Sequence, residues 1–274
     1  MSNSISPKAD IEEGAQIGKN VTIEAFVKIS KDVVIGDGTW IGANATIYNG
    51  AQIGQNCQIF PGAVISAIPQ DLKYKGEETY VEIGDHTTIR ECVTINKGTA
   101  AKQVTKVGSH CLLMAYSHVA HDSVLGDHVI LANNVQVAGE VEIDDWAVIG
   151  GSSAIHQFCR IGEHAMVSGM SGVLSDIPPF TKVAGIPCNY QGINFIGLRR
   201  RGFSKEQIDT IHEFYRIFFQ EAFNTSQAVA HIELNYPASE ERDIIINFIK
   251  ASSRGIIGSG QKQKQAAKVD NSVG

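Results

Sequence analysis

Several things are missing from this chain of 274 residues. It has no apolar run of the length a transmembrane helix needs, which excludes a spanning segment. It opens Met1-Ser2-Asn3-Ser4, without the basic stretch and short apolar core of a secretory leader. Its five cysteines show no C-x-x-C spacing, so neither a zinc ribbon nor a thioredoxin-like motif is expected. The expectation is a reduced, cytoplasmic protein. Positive charge is not in excess either. The net charge of −6 argues against a general nucleic-acid binder.

What is present is a repeat. Eleven isoleucines stand six residues apart from Ile5 to Ile65. The same register carries Ile, Val or Leu from Ile83 to Ile95 and from Val107 to Val173. Of 29 such positions, only Asp71, Glu77 and Ala101 depart from it. A period of six cannot line one face of an α-helix, because six residues turn about 600°. It is a multiple of two, so strands keep every aliphatic residue on one side. The residue two places earlier is small (Ala9, Ala15, Val21, Ala45, Cys57, Cys111, Ser117, Ala147), as expected of an inward neighbour in a tight interior. Gly, Asn and Asp cluster just after the aliphatic position, which is turn chemistry. Each hexad is therefore a short strand and a corner, and only stacked coils can bury the aliphatic column.

The repeat predicts a mainly β fold with the solenoid over residues 1–180. Two segments, 66–82 and 98–106, leave the pattern without losing register. Residues 181–257 read as a small C-terminal helical domain. Ser204 and Gln207 have capping-box form ahead of an apolar stripe at Ile208, Ile211, Phe214, Tyr215, Phe218 and Phe219. Further helices are expected at about 226–234 and 239–252, with the stripe closing the solenoid's open end. Residues 258–274 read as a disordered tail. Between Asp176 and Glu206 no acid occurs, while Lys182, Arg199, Arg200, Arg201 and Lys205 do. Such a basic patch on an acidic chain suits an anionic ligand or acidic partner.

Some residues are not needed by the repeat. With Val119 inward, His118 faces out and His121 sits at a corner, followed by Asp122. Eighteen residues make one coil of three hexads, so Gly139 stacks on His121 and Gln157 on Gly139, with His156 and Glu140 alongside. Coils about 4.8 Å apart would make this a polar groove on one edge. An imidazole beside an accessible backbone N–H suits acyl transfer to a hydroxyl. No nucleophilic Ser or Cys accompanies it, which favours direct attack over an acyl-enzyme.

The pattern [Ile/Val/Leu]-Gly-x-x-x-x resembles the hexapeptide-repeat acyltransferases, which implies a left-handed parallel β-helix. His118-Val119-Ala120-His121-Asp122, Leu131-Ala132-Asn133-Asn134, Ile155-His156-Gln157-Phe158-Cys159, Arg200-Arg201-Gly202-Phe203-Ser204 and Gln70-Asp71-Leu72-Lys73-Tyr74 are similar to the branch that acylates UDP-N-acetylglucosamine at the start of lipid A biosynthesis. The resemblance implies transfer of an (R)-3-hydroxyacyl chain from acyl carrier protein to the sugar 3-hydroxyl. It implies no metal, and no cofactor beyond the phosphopantetheine on the carrier protein. His121 would be the general base, Asp122 its orienting partner and the Gly139 N–H the oxyanion donor. Gln70, Asp71, Lys73, His118, Glu140 and Gln157 would hold the sugar nucleotide. His156, Asn194, Arg200 and Arg201 would meet its diphosphate and uridine or the phosphopantetheine arm. The basic segment would receive the acidic carrier protein. A homotrimer with sites between subunits is implied, and Gly169 would set acyl length, leaving room for ~14 carbons or more. The chain departs from the branch at Glu140 (often His), at Asn96-Lys97 (often His-Arg) and at Ile196 (often acidic). These departures touch the sugar and nucleotide contacts and admit a 3-amino acceptor. Alternatives on the same fold are an N-acyltransferase acting on an amino-sugar nucleotide and a zinc hydratase. The hydratase needs three His around one metal, and His156 stacks nearly two coils from His118 and His121.

Overall fold

A computed structural model describes residues 2–220 and 223–258. The expected tail at 258–274 lies, apart from Gly258, outside the described residues. The described residues hold 28 short strands and four helices. The strands form three sheets, each one face of a triangular coil. Within a face the strands are parallel and their partners follow the 18-residue step, as in Ser4 with Thr22 and Val119 with Val137. Across the two insertions the step lengthens, from Gln58 to Thr88 and from Thr94 to His118, yet Ile still meets Ile or Val. The extra residues are therefore extruded at a corner and leave the stack intact.

The aliphatic column forms the interior. From Ile23 to Ile65 every hexad isoleucine is at most 3 % exposed, each burial stabilising by roughly 1.5–3 kcal/mol. Cys57, Cys111 and Cys159 are buried among them, and all five cysteines are free thiols. Corners recur at the third residue after the aliphatic position. There Asn20, Asn44, Asn56, His86, His110, Asp122, His128 and Asn134 all adopt φ between 52° and 61°, the left-handed region that Asn and Asp tolerate best.

The hexad register ends at Val173, but the solenoid does not. Ile177 bridges to Ile161, and the strand Thr181–Ala184 pairs parallel with Met166–Val167. This places the last parallel strand of the coil within the segment read as helical domain. The step from Val167 to Val183 is two residues short of a coil because the step from Val173 to Ile177 is only four residues, and this break in register puts the strand out of phase with the period of six. The strand Asn189–Ile193 then returns antiparallel.

Helix α1 (Phe195–Arg200) follows, then α2 (Lys205–Gln220), α3 (Thr225–Asn235) and α4 (Glu240–Ala251). The capping box at α2 is formed: Gln207 N–H donates to Ser204 Oγ, and Ser204 N–H to Gln207 Oε1. The apolar stripe of α2 is buried against the solenoid's end, and Tyr215 Oη–H donates to Pro179 O at 2.6 Å. Asp176, wholly buried, ties the C-terminal segment down by accepting from Arg160 N–H and Ser252 Oγ–H. No helix among the described residues is long and apolar enough to cross a membrane.

Candidate active site

The corner after the strand His118–Val119 carries the densest polar chemistry in the solenoid. Val119 is fully buried and anchors the turn. Asp122, at φ 59°, is turned back beneath the second insertion and is 0 % exposed. Its Oδ1 accepts from Thr99 N–H at 2.9 Å and Lys102 N–H at 3.3 Å. Its Oδ2 accepts from Thr99 Oγ1–H at 2.6 Å and lies 2.8 Å from His121 Nδ1. Burial alone would raise this carboxyl. The Thr99 hydroxyl, the His121 ring and the Thr99 N–H together outweigh burial and hold it below the ordinary carboxylate value. An ionised carboxylate can only accept, so Nδ1 of His121 bears the proton and Nε2 carries the free lone pair.

Gly139 lies directly under that ring. A Cβ built there would stand 2.6 Å from both Cε1 and Nε2 of His121. The Gly139 N–H has no acceptor among the described residues. Equivalent N–H groups at another edge are capped by the aspartate of the next coil, as Ser109 N–H is by Asp127 and Asp127 N–H by Asp145. The next coil after Gly139 offers Gln157 at that place, and the donor stays open. Corner-to-corner hydrogen bonds, Glu140 N–H to His121 O and Phe158 N–H to Gly139 O, hold the three coils together.

The remaining candidate residues divide into groups. His118 stands beside His121, its Nδ1 2.7 Å from Thr94 Oγ1. Burial depresses its pKa; Thr94 opposes this and His121 adds to it, so the ring is neutral. Half-buried Glu140 and Gln157 and exposed His156 lie along the same edge, with His156 Nδ1 3.1 Å from Gln157 O. The first insertion leaves the same edge on earlier coils. In it Gln70 and Lys73 are exposed, and Asp71 Oδ1 accepts from Lys73 N–H. Among the described residues no hydrogen bond or ion pair joins these three side chains to His121.

Asn194, Arg200 and Arg201 lie elsewhere. Asn194 caps α1, with Oδ1 accepting from Gly197 N–H and Nδ2–H donating to His164 O. Together with Arg200, Arg201 and Lys182 it lines a cavity of ≈ 670 Å³ against Ile130, Val148 and Met166, on the outer side of the first face. Arg201 also stacks over Trp146 at 5.1 Å. Gly169 sits at the corner that follows this face, where a Cβ would meet Gly151 O at 3.2 Å. Within one chain, then, the His121 edge and the Asn194–Arg201 cavity belong to different faces.

Sequence reasoning did not single out Thr94, Thr99 or Thr105, although Thr105 Oγ1 accepts from Asp122 N–H at 2.8 Å. A signal existed: the second insertion emerges at the His121 corner, and it carries Thr99.

Comparison with known proteins gives one consistent answer. A family model described as "Udp N-acetylglucosamine O-acyltransferase; Domain 2" matches residues 176–257, and the bacterial transferase hexapeptide model matches 32–67 and 105–139. The acyl-carrier-protein–UDP-N-acetylglucosamine O-acyltransferase of Pseudomonas savastanoi pv. phaseolicola is 45% identical over 190 residues, 68% of this chain and 73% of its own. The same enzyme from an Anaeromyxobacter strain is 46% identical over 190 residues, 69% and 74%. A solved UDP-N-acetylglucosamine acyltransferase from Bacteroides fragilis superposes with TM-score 0.91 at 53% identity, covering 92% of this chain and 99% of its own. That of Francisella novicida gives 0.92 at 36% identity, covering 94% and 95%. The shared fold is the left-handed parallel β-helix of hexapeptide repeats with C-terminal helices.

Proposed function

The chain belongs to the UDP-N-acetylglucosamine O-acyltransferase family, and on that premise we propose how its corner site works. The enzyme moves an (R)-3-hydroxyacyl chain from acyl carrier protein to the 3-hydroxyl of UDP-N-acetylglucosamine, the opening step of lipid A biosynthesis. His121 Nε2 takes the hydroxyl proton as the oxygen attacks the thioester carbonyl. The carbonyl oxygen, now an oxyanion, receives the open Gly139 N–H. Buried Asp122 stabilises the imidazolium. The tetrahedral intermediate collapses, the C–S bond breaks, and the imidazolium returns the proton to the departing phosphopantetheine sulfur. General-base help of this kind contributes about 10²–10⁴, and one oxyanion donor about 10²–10³. The observation that carries the reading is the ordered line from Asp122 Oδ2 through His121, 2.8 Å away, to the Gly139 backbone under the ring.

Gln70, Asp71, Lys73, His118, Glu140 and Gln157 hold the sugar nucleotide. His156, Asn194, Arg200 and Arg201 serve its phosphates and nucleoside or the phosphopantetheine arm. Two faces of one prism cannot meet, so the working unit is a homotrimer in which the first face of one copy approaches the His121 edge of the next. The half-buried outer row Leu112, Ile130, Val148 and Met166 supports this as an apolar contact. Gly169 leaves space for a chain of ~14 carbons or longer. The enzyme works in the cytoplasm, where it draws both substrates, and needs no cofactor of its own.

The test is incubation with UDP-N-acetylglucosamine and a panel of 3-hydroxyacyl carrier proteins, read by mass spectrometry, for the native enzyme and His121→Ala. The expected result is an O-acylated sugar nucleotide from the native enzyme and a loss of about 10³ in kcat for the variant. Absence of product at every chain length, or an active His121→Ala, overturns the reading.

A further inference from the structure

The repeat has no use for the six extra residues of the second insertion, yet part of that insertion is firmly placed. Ala100–Gln103 are mostly exposed, whereas Thr99 is 9 % exposed and gives both its N–H and its hydroxyl to Asp122. The hydroxyl is itself oriented. Ala101 N–H donates to Thr99 Oγ1 at 3.2 Å, which leaves the hydroxyl proton to point at the carboxylate. Asp122 Oδ2 therefore has two donors, Thr99 Oγ1–H at 2.6 Å and His121 Nδ1–H at 2.8 Å.

We propose that Thr99 is a positioning residue that sets the basicity of His121 by sharing Asp122 Oδ2 with it. The inference rests on the acyl-transfer reading for its purpose, but not for its physics. A carboxylate oxygen that already holds one short hydrogen bond has less negative charge to offer a second donor. The imidazolium is then stabilised less than it would be by an unshared carboxylate. His121 stays neutral, and so able to accept a proton, further down in pH. The two backbone donors on Oδ1 keep the carboxylate from rotating away, so the sharing is fixed by geometry. Other titratable groups around the ring are His118 on the same coil, Glu140 on the next, Lys97 on the coil before and Lys102 in the insertion. None of them is changed by a substitution at 99.

Two readouts on the full chain test this. The His121 imidazole is titrated by proton–nitrogen NMR without substrate, and the pH profile of kcat/KM is measured with both substrates. Thr99→Val removes the hydroxyl at nearly constant volume; Thr99→Ala removes it in a different packing background and stands in if the valine variant fails to fold. Both should raise the His121 midpoint by about one unit and carry the acid limb of kcat/KM up with it. The KM for UDP-N-acetylglucosamine should stay within about twofold, and Thr99→Ser should restore the native midpoint and limb. An unmoved midpoint in the folded hydroxyl-less variants, or a serine variant that behaves like them, overturns the proposal. Because the titration needs no turnover, a failure of the reaction assignment would leave native activity absent while the midpoint still moves.

Discussion

Replacing Gly139 with alanine should damage catalysis while leaving the fold in place, and the structure sets the scale. The new Cβ would stand 2.6 Å from His121 Cε1 and Nε2 and 3.2 Å from Cδ2. Ordinary contact begins near 3.4 Å, so the ring has to retreat by about 1 Å. It cannot retreat freely, because Nδ1 is bound to Asp122 Oδ2 and that carboxylate is held by three further donors from the second insertion. Nor can the coils part easily, since Glu140 N–H donates to His121 O across the same corner. The backbone is no obstacle to alanine, since Gly139 does not occupy the left-handed region. A displacement of about 1 Å at a reacting group can lower kcat by about 10², whereas overpacking of this kind destabilises by about 1–3 kcal/mol. Steady-state kinetics with saturating UDP-N-acetylglucosamine, beside a thermal melt, separates the two effects. A Gly139→Ala enzyme with kcat within threefold of native would show that the imidazole does not work from its place over this glycine.

Three other outcomes are expected. Asp176→Ala strips the acceptor from Arg160 N–H and Ser252 Oγ–H in a fully buried position, so denaturant unfolding should show a loss of about 2–4 kcal/mol, and hydrogen exchange should quicken around 252–257 first. Val148→Glu places a carboxylate in the apolar outer row of the first face, and sedimentation should show the proposed trimer dissociating while circular dichroism of the coil is retained. The contribution of Glu163 to stability should fall with rising pH. Burial, with Asp144, Asp145 and Glu240 nearby, pushes the Glu163 carboxyl from 4.5 to about 7. The folded state thus keeps a proton that the unfolded chain has released, so this group's contribution is complete below about pH 4.5 and is lost by about pH 7. Across that window the melting temperature of the native protein should fall relative to that of Glu163→Gln, the comparison cancelling the opposite slope from buried His164, whose pKa burial lowers to about 4.

The fold was readable because the same constraint acts on every coil. A hexad buries its aliphatic residue only against a neighbouring coil, so the spacing of Ile23, Ile41 and Ile59 in sequence is the spacing of stacked strands in space. Where the constraint is relaxed, the reading stops. The four-residue step from Val173 to Ile177 shifts the register and hides the strand Thr181–Ala184 from a period of six. Helix α1 is six residues long, and its start depends on the Asn194 cap, with no apolar stripe to mark it. The longer α2 carries such a stripe, and its buried face appears at the helical spacing of Ile208, Ile211 and Tyr215.

For the site, the register acts as a ruler with a limited reach. It places Gly139 on His121 because one unbroken coil separates them, and the ring over the glycine is the outcome. It says nothing about Thr99, which reaches Asp122 through a loop whose length interrupts the count. It also relates residues only along one prism, so Asn194, Arg200 and Arg201 fall on a face that the His121 edge never meets in the same chain. Those arginines, Arg200 exposed and Arg201 half-buried, line a cavity with an apolar floor of Ile130, Val148 and Met166, and such a floor is costly to leave in water. A second copy that supplies its own His121 edge would cover the floor and bring an anionic sugar nucleotide to the cations at once. Oligomerisation and substrate binding would then share one surface, and Val148→Glu should raise the KM for UDP-N-acetylglucosamine in step with the loss of trimer.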